Sequence, residues 1–219
     1  MFVKICGTTS EEDALLAHAM GADAVGFIFA PSPRQVSPQL AAEIARRLHP
    51  DVVTVGVFRD EAPERVATIV NRAGLKAAQL HGHETFEQVQ WVAARVPMTI
   101  KALPAGHVSL GSAGEYGADI ILLDAASPGS GRVFDWSLVE GIPDGQRFML
   151  AGGLRPDNVA EAIARTHPWG VDAATGVEAS PGRKDPTKLR AFIANAKAAE
   201  PPAYESPNEP PYDWEEDAG

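Results

Sequence analysis

Two polar side chains, one thiol and one carboxyl, stand where acid–base chemistry would need them. Cys6, the only cysteine in the chain, ends the apolar run Val3–Cys6, and Asp124 directly follows the run Ile120–Leu123. A thiolate can remove a proton and a carboxylic acid can donate one. The two residues therefore predict a base and an acid, provided that the fold brings both to one cleft. The alternatives are a structural cysteine in the core and a carboxylate that caps a helix or pairs in a loop.

Two glycine-containing turns predict a site for phosphate. Gly152-Gly153 follow the apolar run Phe148–Ala151, and Thr175-Gly176 come after the run Gly170–Ala173. These are the seventh and eighth of the short apolar runs in the chain. Because glycine has no side chain, backbone N–H groups in such turns can approach an anion closely. The seventh and eighth loops are also where barrel enzymes commonly bind phosphate. Either turn alone is unspecific, but the two together favour a phosphorylated substrate.

Other polar residues in the predicted loops are candidates for substrate contacts. Arg34, after the second run, could hold a substrate carboxylate with its guanidinium fork, or be a solvated loop arginine. His81 and His83 are two residues apart, as metal ligands can be, but no third ligand with suitable spacing lies nearby. We therefore expect no metal, and we place His81 in the wall of the cleft as a substrate-binding residue. The small residues of Ser127–Arg132 indicate either a lid or a flexible loop.

The composition of the 219-residue chain indicates one globular domain and excludes several functions. A formal net charge of −10, with no cluster of Lys and Arg, disfavours binding to nucleic acid. A single cysteine excludes a disulfide framework and a multi-thiolate metal site. No apolar run approaches the roughly 20 residues of a membrane span, and the N-terminus lacks the features of a signal peptide. We expect a cytoplasmic protein that does not bind membranes.

The C-terminal segment differs in composition from the rest of the chain. Between positions 200 and 219 there are seven acidic residues and five prolines, but no Lys or Arg. Such a segment buries too little apolar surface to offset its ordering entropy. We therefore divide the chain into a catalytic domain over 1–197 and a flexible acidic, Pro-rich tail over 198–219. Pro201–Tyr204 has the form of a polyproline ligand, although an accident of composition explains it more simply, and the tail's partner is unknown.

Eight short apolar runs alternate with amphipathic stretches over residues 1–197, a pattern typical of parallel strands covered by helices. Eight is the strand number of a closed (β/α)8 TIM barrel, whose active site lies at the C-terminal ends of the strands. Among the helical stretches, Ser10–Met20 begins with a suitable N-cap and Pro38–Leu48 with a proline in its first turn. The predicted strands are Val3–Cys6, Ala24–Phe29, Val53–Phe58, Ala77–Leu80, Met98–Ala102, Ile120–Leu123, Phe148–Ala151 and Gly170–Ala173.

A weak internal repeat supports the barrel. Each of four glycines is expected to end a helix in the left-handed conformation and to lead into an even-numbered strand. The alternative is an open doubly wound sheet, which would place a Gly-x-Gly-x-x-Gly turn after the first strand. The sequence Cys6-Gly7-Thr8-Thr9 does not match that turn. The four glycines of the repeat are Gly21, Gly74, Gly117 and Gly170.

Several of these segments together resemble the phosphoribosylanthranilate isomerase family of tryptophan biosynthesis, over residues 1 to about 197. The resemblance implies a cofactor-free aldose–ketose isomerase with a small phosphosugar as its substrate. Its reaction is the Amadori rearrangement of N-(5-phosphoribosyl)anthranilate to 1-(2-carboxyphenylamino)-1-deoxyribulose 5-phosphate. Both a monomer and a homodimer are compatible with the sequence. The matching motifs are Lys4–Gly7, Gly56–Phe58, Gln79–Gly82, Leu122–Asp124, Phe134–Trp136, Leu150–Leu154 and Gly176–Glu178.

The resemblance also implies a role for each matching residue. Asp124 protonates the ribose ring oxygen, and the thiolate of Cys6 then removes the C2′ proton. Arg34 matches the position that holds the anthranilate carboxylate, and Asp172 resembles a further position on the anthranilate side. The phosphate site corresponds to Gly152, Gly153, Thr175 and Gly176.

Two loops depart from the sequence pattern that is usual in the family. Pro128–Gly131 stands where the family usually has Gly-Gly-Thr-Gly, and Ala174-Thr175 where two serines are common.

A related isomerase that also serves histidine biosynthesis has an aspartate where Cys6 stands, so the thiol favours the tryptophan reaction. A non-catalytic phosphate-binding barrel could recruit a partner through its tail, but that function leaves the pairing of Cys6 with Asp124 unexplained.

Removal of the tail distinguishes an enzyme from a recruiting module. Deletion of residues 200–219 should leave turnover of phosphoribosylanthranilate nearly unchanged, because the tail contains none of the candidate site residues. Turnover is measured as the loss of anthranilate-type fluorescence, with the full chain as the control. A recruiting module would instead lose its association with a partner, and a large loss of turnover would contradict the enzyme hypothesis.

Overall fold

Eight parallel strands close into a barrel in chain order, and the last strand pairs with the first. The computed structural model describes residues 1–108, 110–124, 141–143 and 145–199. The prediction of a (β/α)8 barrel is confirmed. Three segments discussed above lie outside the described residues: 127–132, 134–136 and the tail over 200–219. The strands are β1 (Phe2–Ile5), β2 (Ala24–Ile28), β3 (Val53–Phe58), β4 (Ala77–Leu80), β5 (Thr99–Pro104), β6 (Ile120–Asp124), β7 (Phe148–Leu150) and β8 (Gly170–Ala173).

Six α-helices of the described residues cover the barrel, and a short antiparallel hairpin of β9 (Glu178–Ser180) and β10 (Arg183–Lys184) follows β8. Ser10 caps α1 as expected, since the Asp13 backbone N–H donates to its hydroxyl at 3.2 Å. None of the described helices is long and apolar enough to cross a lipid bilayer. The helices are α1 (Glu11–Ala19), α2 (Pro38–Ala45), α3 (Pro63–Ala73), α4 (Phe86–Ala93), α5 (Val159–Thr166) and α6 (Pro186–Ala198).

The connection after β5 departs from the expected alternation of strands and α-helices. A 3₁₀ helix, Leu110–Tyr116, takes the place of an α-helix there. Its sequence contains Gly111 and Gly114, and glycine is among the residues least favourable to an α-helix. A second 3₁₀ helix, Thr175–Val177, follows β8.

Alternation of side chains along the strands produces two separate apolar layers. The inner layer fills the barrel and includes Val55, Leu122 and Met149. The outer layer lies between strands and helices and includes Phe27 and Leu123. Because successive side chains of a strand point to opposite sides, residues two apart share a side. This periodicity determines which polar residues at the ends of the strands reach the mouth of the barrel.

The glycine repeat is correct at three positions and wrong at the fourth. Gly21, Gly74 and Gly117 have positive φ values of 99°, 67° and 64°. Gly170 does not end a helix but begins β8, and a Cβ atom there would lie 2.9 Å from the carbonyl oxygen of Phe2. Close packing of β8 against β1 therefore explains this glycine. The left-handed residue that ends α5 is His167, with a φ of 45°.

Two aspartates, each two residues after a glycine of the repeat, connect neighbouring strands at the N-terminal end of the barrel. The backbone N–H of Val3 donates to Asp23 Oδ2 at 2.7 Å, and that of Thr99 donates to Asp119 Oδ2 at 2.7 Å. Both bonds span 20 residues of sequence. The same interaction thus joins β1 to the turn before β2 and β5 to the turn before β6, which indicates a repeated structural unit.

Loss of one of these aspartates should destabilise the fold without touching the mouth of the barrel. Asp119→Ala removes the acceptor of the buried Thr99 N–H, and an unsatisfied buried donor costs about 1–3 kcal/mol. The free energy of unfolding, measured by urea denaturation, should fall by that amount. Asp51→Ala is the control, because the Asp51 side chain is 89% exposed and its loss should change stability by less than about 0.5 kcal/mol. Equal stability of the two variants would contradict the prediction.

Candidate active site

The C-terminal ends of the strands surround a cavity of about 820 Å³. The structure brings all nine candidate site residues to this one cavity, although they come from six different loops and strand ends. Their side chains or backbones line it together with apolar groups. The nine residues are Cys6, Arg34, His81, Asp124, Gly152, Gly153, Asp172, Thr175 and Gly176.

Cys6 lies one residue beyond β1, with its side chain in the inner layer of the barrel. Its backbone N–H donates to the Ala173 carbonyl at 2.9 Å. The sulfur has room because of Gly26, where a Cβ atom would lie 2.9 Å from Sγ. The residue is 6% exposed and lines the cavity, so the sulfur is not sealed in the apolar core. Burial nevertheless raises the pKa of the Cys6 thiol, although Lys4 and Lys184 act in the opposite direction.

Asp172 contacts Lys4, a residue that sequence reasoning did not assign to the site. Lys4 Nζ lies 3.0 Å from Asp172 Oδ1, and the two residues are in register between β1 and β8. Burial lowers the pKa of Lys4, but Asp172 and Cys6 together more than offset this effect and raise it above its ordinary value. Lys4 is therefore a charged ammonium inside the barrel. The sequence does contain a signal for this residue: Lys4 is a lysine within an apolar strand. It stands two residues before Cys6, so that both side chains point to the same side of the strand.

Asp124 is the last residue of β6, and His81 lies against it. His81 Nε2 is 3.3 Å from Asp124 Oδ2, and His81 Nδ1 is 3.0 Å from the side-chain nitrogen of Gln79. This arrangement places an imidazole where it can exchange a proton with the carboxyl. His83 also lines the cavity but contacts Asp60. No group of three or more His, Cys, Asp or Glu side chains in the described part of the chain is arranged to hold a metal.

Arg34 forms its bidentate contact with Glu178 in this structure. Arg34 Nε donates to Glu178 Oε1 and Nη2 donates to Oε2, both at 2.7 Å. These bonds raise the pKa of Arg34. The stem of Arg34 packs on Gly7, where a Cβ atom would lie 2.6 Å from Arg34 Cδ. Because Glu178 occupies the Nε edge of the guanidinium, a substrate carboxylate would have to bind at the Nη1 edge.

Glu178 and Lys184 form a second buried ion pair next to Cys6, and sequence reasoning assigned neither a role. Lys184 Nζ lies 3.3 Å from Glu178 Oε1 and donates to the backbone carbonyl of Cys6 at 2.5 Å. Burial raises the pKa of Glu178, but Arg34 and Lys184 lower it by more. The pKa therefore lies below its ordinary value, and Glu178 is a carboxylate. The network holds Arg34, the hairpin and the backbone of Cys6 in one arrangement.

The two glycine turns pack directly against each other. Gly152 and Gly153 have φ values of 82° and 70°, which favour glycine at both positions. Asn158 holds this turn, because its side chain accepts from the Arg155 N–H at 2.7 Å and donates to the Gly153 carbonyl at 3.1 Å. A Cβ atom at Gly176 would collide with the carbonyl oxygen of Leu154. Among the described residues, none accepts a hydrogen bond from the backbone N–H of Gly152 or Gly153, so both are available to an anion.

A closed (β/α)8 barrel with a thiol, a carboxyl and two glycine turns at its mouth has the groups of an enzyme that moves protons by acid–base chemistry. A sequence profile of the family "N-(5'phosphoribosyl)anthranilate (PRA) isomerase" matches residues 3–195. The chain belongs to this family, which confirms the resemblance drawn from its motifs.

Individual relatives agree with the family assignment. An N-(5'-phosphoribosyl)anthranilate isomerase of Desulforudis audaxviator is 48% identical over 204 residues, which cover 90% of this chain and 98% of the relative. The crystal structure of phosphoribosyl anthranilate isomerase from Thermus thermophilus is 42% identical, with a TM-score of 0.85 and coverage of 90% and 99% of the two chains. A phosphoribosyl anthranilate isomerase in complex with reduced 1-(o-carboxyphenylamino)-1-deoxyribulose 5-phosphate is 40% identical, with a TM-score of 0.76 and the same coverage.

The protonation of Cys6 can be measured directly, because the chain has no other thiol. Only the thiolate reacts rapidly with iodoacetamide, so the alkylation rate follows deprotonation. Since burial raises the pKa of Cys6, the rate should increase with pH to a midpoint above the ordinary thiol value. A short unstructured peptide with the sequence around Cys6 is the control and should titrate at the lower, ordinary value. A midpoint of the protein at or below that of the peptide would contradict the prediction.

Proposed function

We propose that this chain isomerises N-(5'-phosphoribosyl)anthranilate, the family's reaction in tryptophan biosynthesis, with Cys6 as general base and Asp124 as general acid. The observation that carries these two roles is that both side chains open into one cavity, with His81 against Asp124. The two groups approach that cavity from strands separated by β7 and β8. One bound sugar can therefore meet a proton donor and a proton acceptor on different sides.

The acid acts first in the proposed mechanism. Asp124 donates a proton to the ribose ring oxygen, the bond from C1′ to that oxygen breaks, and the lone pair of the anthranilate nitrogen forms a C=N bond. His81 lies within reach of Asp124 and supports the transfer. The resulting iminium ion withdraws electrons from C2′, so that the hydrogen on C2′ becomes acidic enough for a thiolate to remove.

The base acts second. The Cys6 thiolate takes the C2′ proton, the electrons of that C–H bond form a C1′=C2′ double bond, and the electrons of the C=N bond return to nitrogen. The enolamine then loses the proton of its C2′ hydroxyl and gains one at C1′, which leaves the ketone. The reaction is an isomerisation, so no proton is gained or lost overall, and no cofactor enters any step.

The substrate's two charged ends are assigned to different groups of the mouth. The Nη1 edge of Arg34 is proposed to hold the anthranilate carboxylate, since Glu178 occupies the other edge. The turns at Gly152-Gly153 and Thr175-Gly176 are proposed to hold the phosphate through their backbone N–H groups. The relative that was crystallised with a reduced phosphosugar product supports a ligand of this kind.

Three further proposals concern the whole protein. The catalytic domain covers residues 1–197, and the tail over 198–219 has no part in the chemistry. The active form is a monomer or a homodimer, and the dimeric phosphoribosylanthranilate isomerase of Thermotoga maritima makes the dimer a concrete possibility. The lone cysteine and the absence of a basic cluster fit a cytoplasmic enzyme that does not bind nucleic acid.

Substitution of the acid or the base should abolish most of the activity. Cys6→Ser and Asp124→Asn each remove one proton-transfer group and should lower kcat by about 10²–10⁴-fold, with an unchanged fold by circular dichroism. The assay follows the fluorescence of freshly generated phosphoribosylanthranilate. Arg34→Ala is the contrasting variant and should mainly raise KM. Near-normal turnover by Cys6→Ser would refute the proposal. Efficient turnover of the histidine-pathway aminoaldose by the wild type would contradict the preference for the tryptophan reaction alone.

A further inference from the structure

The proposed mechanism needs a protonated Asp124 carboxyl and a deprotonated Cys6 thiol. These protonation states are the reverse of those that the two kinds of group ordinarily have at neutral pH. The acid must keep its proton while the thiol has lost its own. An ordinary carboxyl, however, has a pKa of about 4 and an ordinary thiol one of about 8.5. Only a minor fraction of an unassisted site would be ready to react. A group that stabilises the thiolate would enlarge that fraction, so the surroundings of Cys6 matter for the rate.

Lys4 is the cation at the sulfur. A Cβ atom on Gly26 would lie 2.9 Å from Cys6 Sγ and 3.2 Å from Lys4 Nζ, so both groups border the same small space. The charge of the ammonium group favours the thiolate and so lowers the pKa of the Cys6 thiol. The side chain of Lys4 is fully buried, and water therefore screens this interaction little.

Asp172 holds the ammonium group in place. Its Oδ1 lies 3.0 Å from Lys4 Nζ, and its side chain is 8% exposed. Without a partner, a buried lysine tends to lose its charge, because burial disfavours the ionised form. The carboxylate thus keeps Lys4 charged while the thiol is still protonated, but its own negative charge acts against the thiolate.

The remaining charged groups near Cys6 are paired among themselves. Lys184 on β10 contacts the backbone carbonyl of Cys6 and the carboxylate of Glu178 on β9. Arg34, in the loop after β2, is bound to the same carboxylate. These two cations and one anion surround Cys6 together with the pair formed by Lys4 on β1 and Asp172 on β8. Of the three cations, Lys4 is the one whose charge lowers the pKa of the Cys6 thiol most and whose ammonium group borders the same space as the sulfur.

We propose that Lys4 is a positioning residue whose ammonium group stabilises the Cys6 thiolate, and that Asp172 holds Lys4 in that position. Asp172 thereby has a role besides the substrate contact that the sequence suggested. The inference rests on the proposed function, in which Cys6 is the base. Its direct consequence, however, concerns the thiol alone and can be measured without any substrate.

The test measures alkylation of Cys6 by iodoacetamide as a function of pH in the full chain. Lys4→Met should slow alkylation at neutral pH about tenfold, the change that one unit of thiol pKa produces. Asp172→Asn should accelerate it several-fold, because it removes an anion, while the Asn oxygen can still accept from Lys4 and the thiolate itself remains as the partner that keeps Lys4 charged. Opposite effects of the two variants identify electrostatic control. An unchanged titration in folded Lys4→Met, or changes of the same sign in both variants, would overturn the proposal.

Lys101→Met is the matched control for loss of a buried charge. Lys101 is also a buried lysine in an ion pair, with its Nζ 2.6 Å from Glu84 Oε2. It belongs to β5, across the barrel from β1, so the titration of Cys6 should stay unchanged. A shift in this variant equal to that of Lys4→Met would show a general effect of destabilisation and overturn the proposal.

A double variant covers the case in which Lys4→Met does not fold, since a lone buried Asp172 is costly. Lys4→Met/Asp172→Asn removes both charges and should alkylate more slowly than Asp172→Asn alone at the same pH. Equal rates would overturn the proposal. Failure of the proposed function gives a different result: Cys6→Ser would then retain turnover, whatever the titration of the thiol.

Discussion

Ionised groups inside the closed barrel need partners, and this requirement determines how the site is built. A buried charge without a partner costs several kcal/mol, because the protein replaces the water that would solvate it. Lys4 is paired with Asp172, and Glu178 is paired with both Arg34 and Lys184. These pairs connect β1, β8, the loop after β2 and the hairpin. The charges that hold one side of the mouth together therefore also surround the only thiol of the protein.

Positions without side chains are as necessary to the site as the charges. Gly26 leaves the space that the Cys6 sulfur and the Lys4 ammonium group share, and Gly7 leaves space for the stem of Arg34. Gly176 lets the loop after β8 pack on the backbone of the loop after β7. Any Cβ atom at these positions would displace a neighbouring side chain or backbone group, because closely packed interiors have little free volume to absorb it. At these positions glycine allows neighbouring groups to approach closely, and this close approach, not backbone flexibility, is the reason for glycine.

The proposed acid and the proposed base occupy different surroundings within one cavity. Cys6 lies among cations and their carboxylate partners, whereas Asp124 lies beside an imidazole supported by the amide of Gln79. Different surroundings allow two groups in one site to hold different protonation states, which acid–base catalysis requires. The barrel achieves this separation because β7 and β8 stand between β6 and β1.

Local patterns in the sequence alone determined the strands, the helix cap and the placement of Cys6 and Asp124 at strand ends, since alternation and apolar runs depend only on neighbouring residues. The expectation for Gly170 was wrong, because its reason is a contact with another strand. Only the tertiary structure decided that Arg34 meets Glu178 and that Lys4 meets Asp172, across 144 and 168 residues of sequence. Closure of the barrel brings these residues together, and no local signal states which distant charges will become partners.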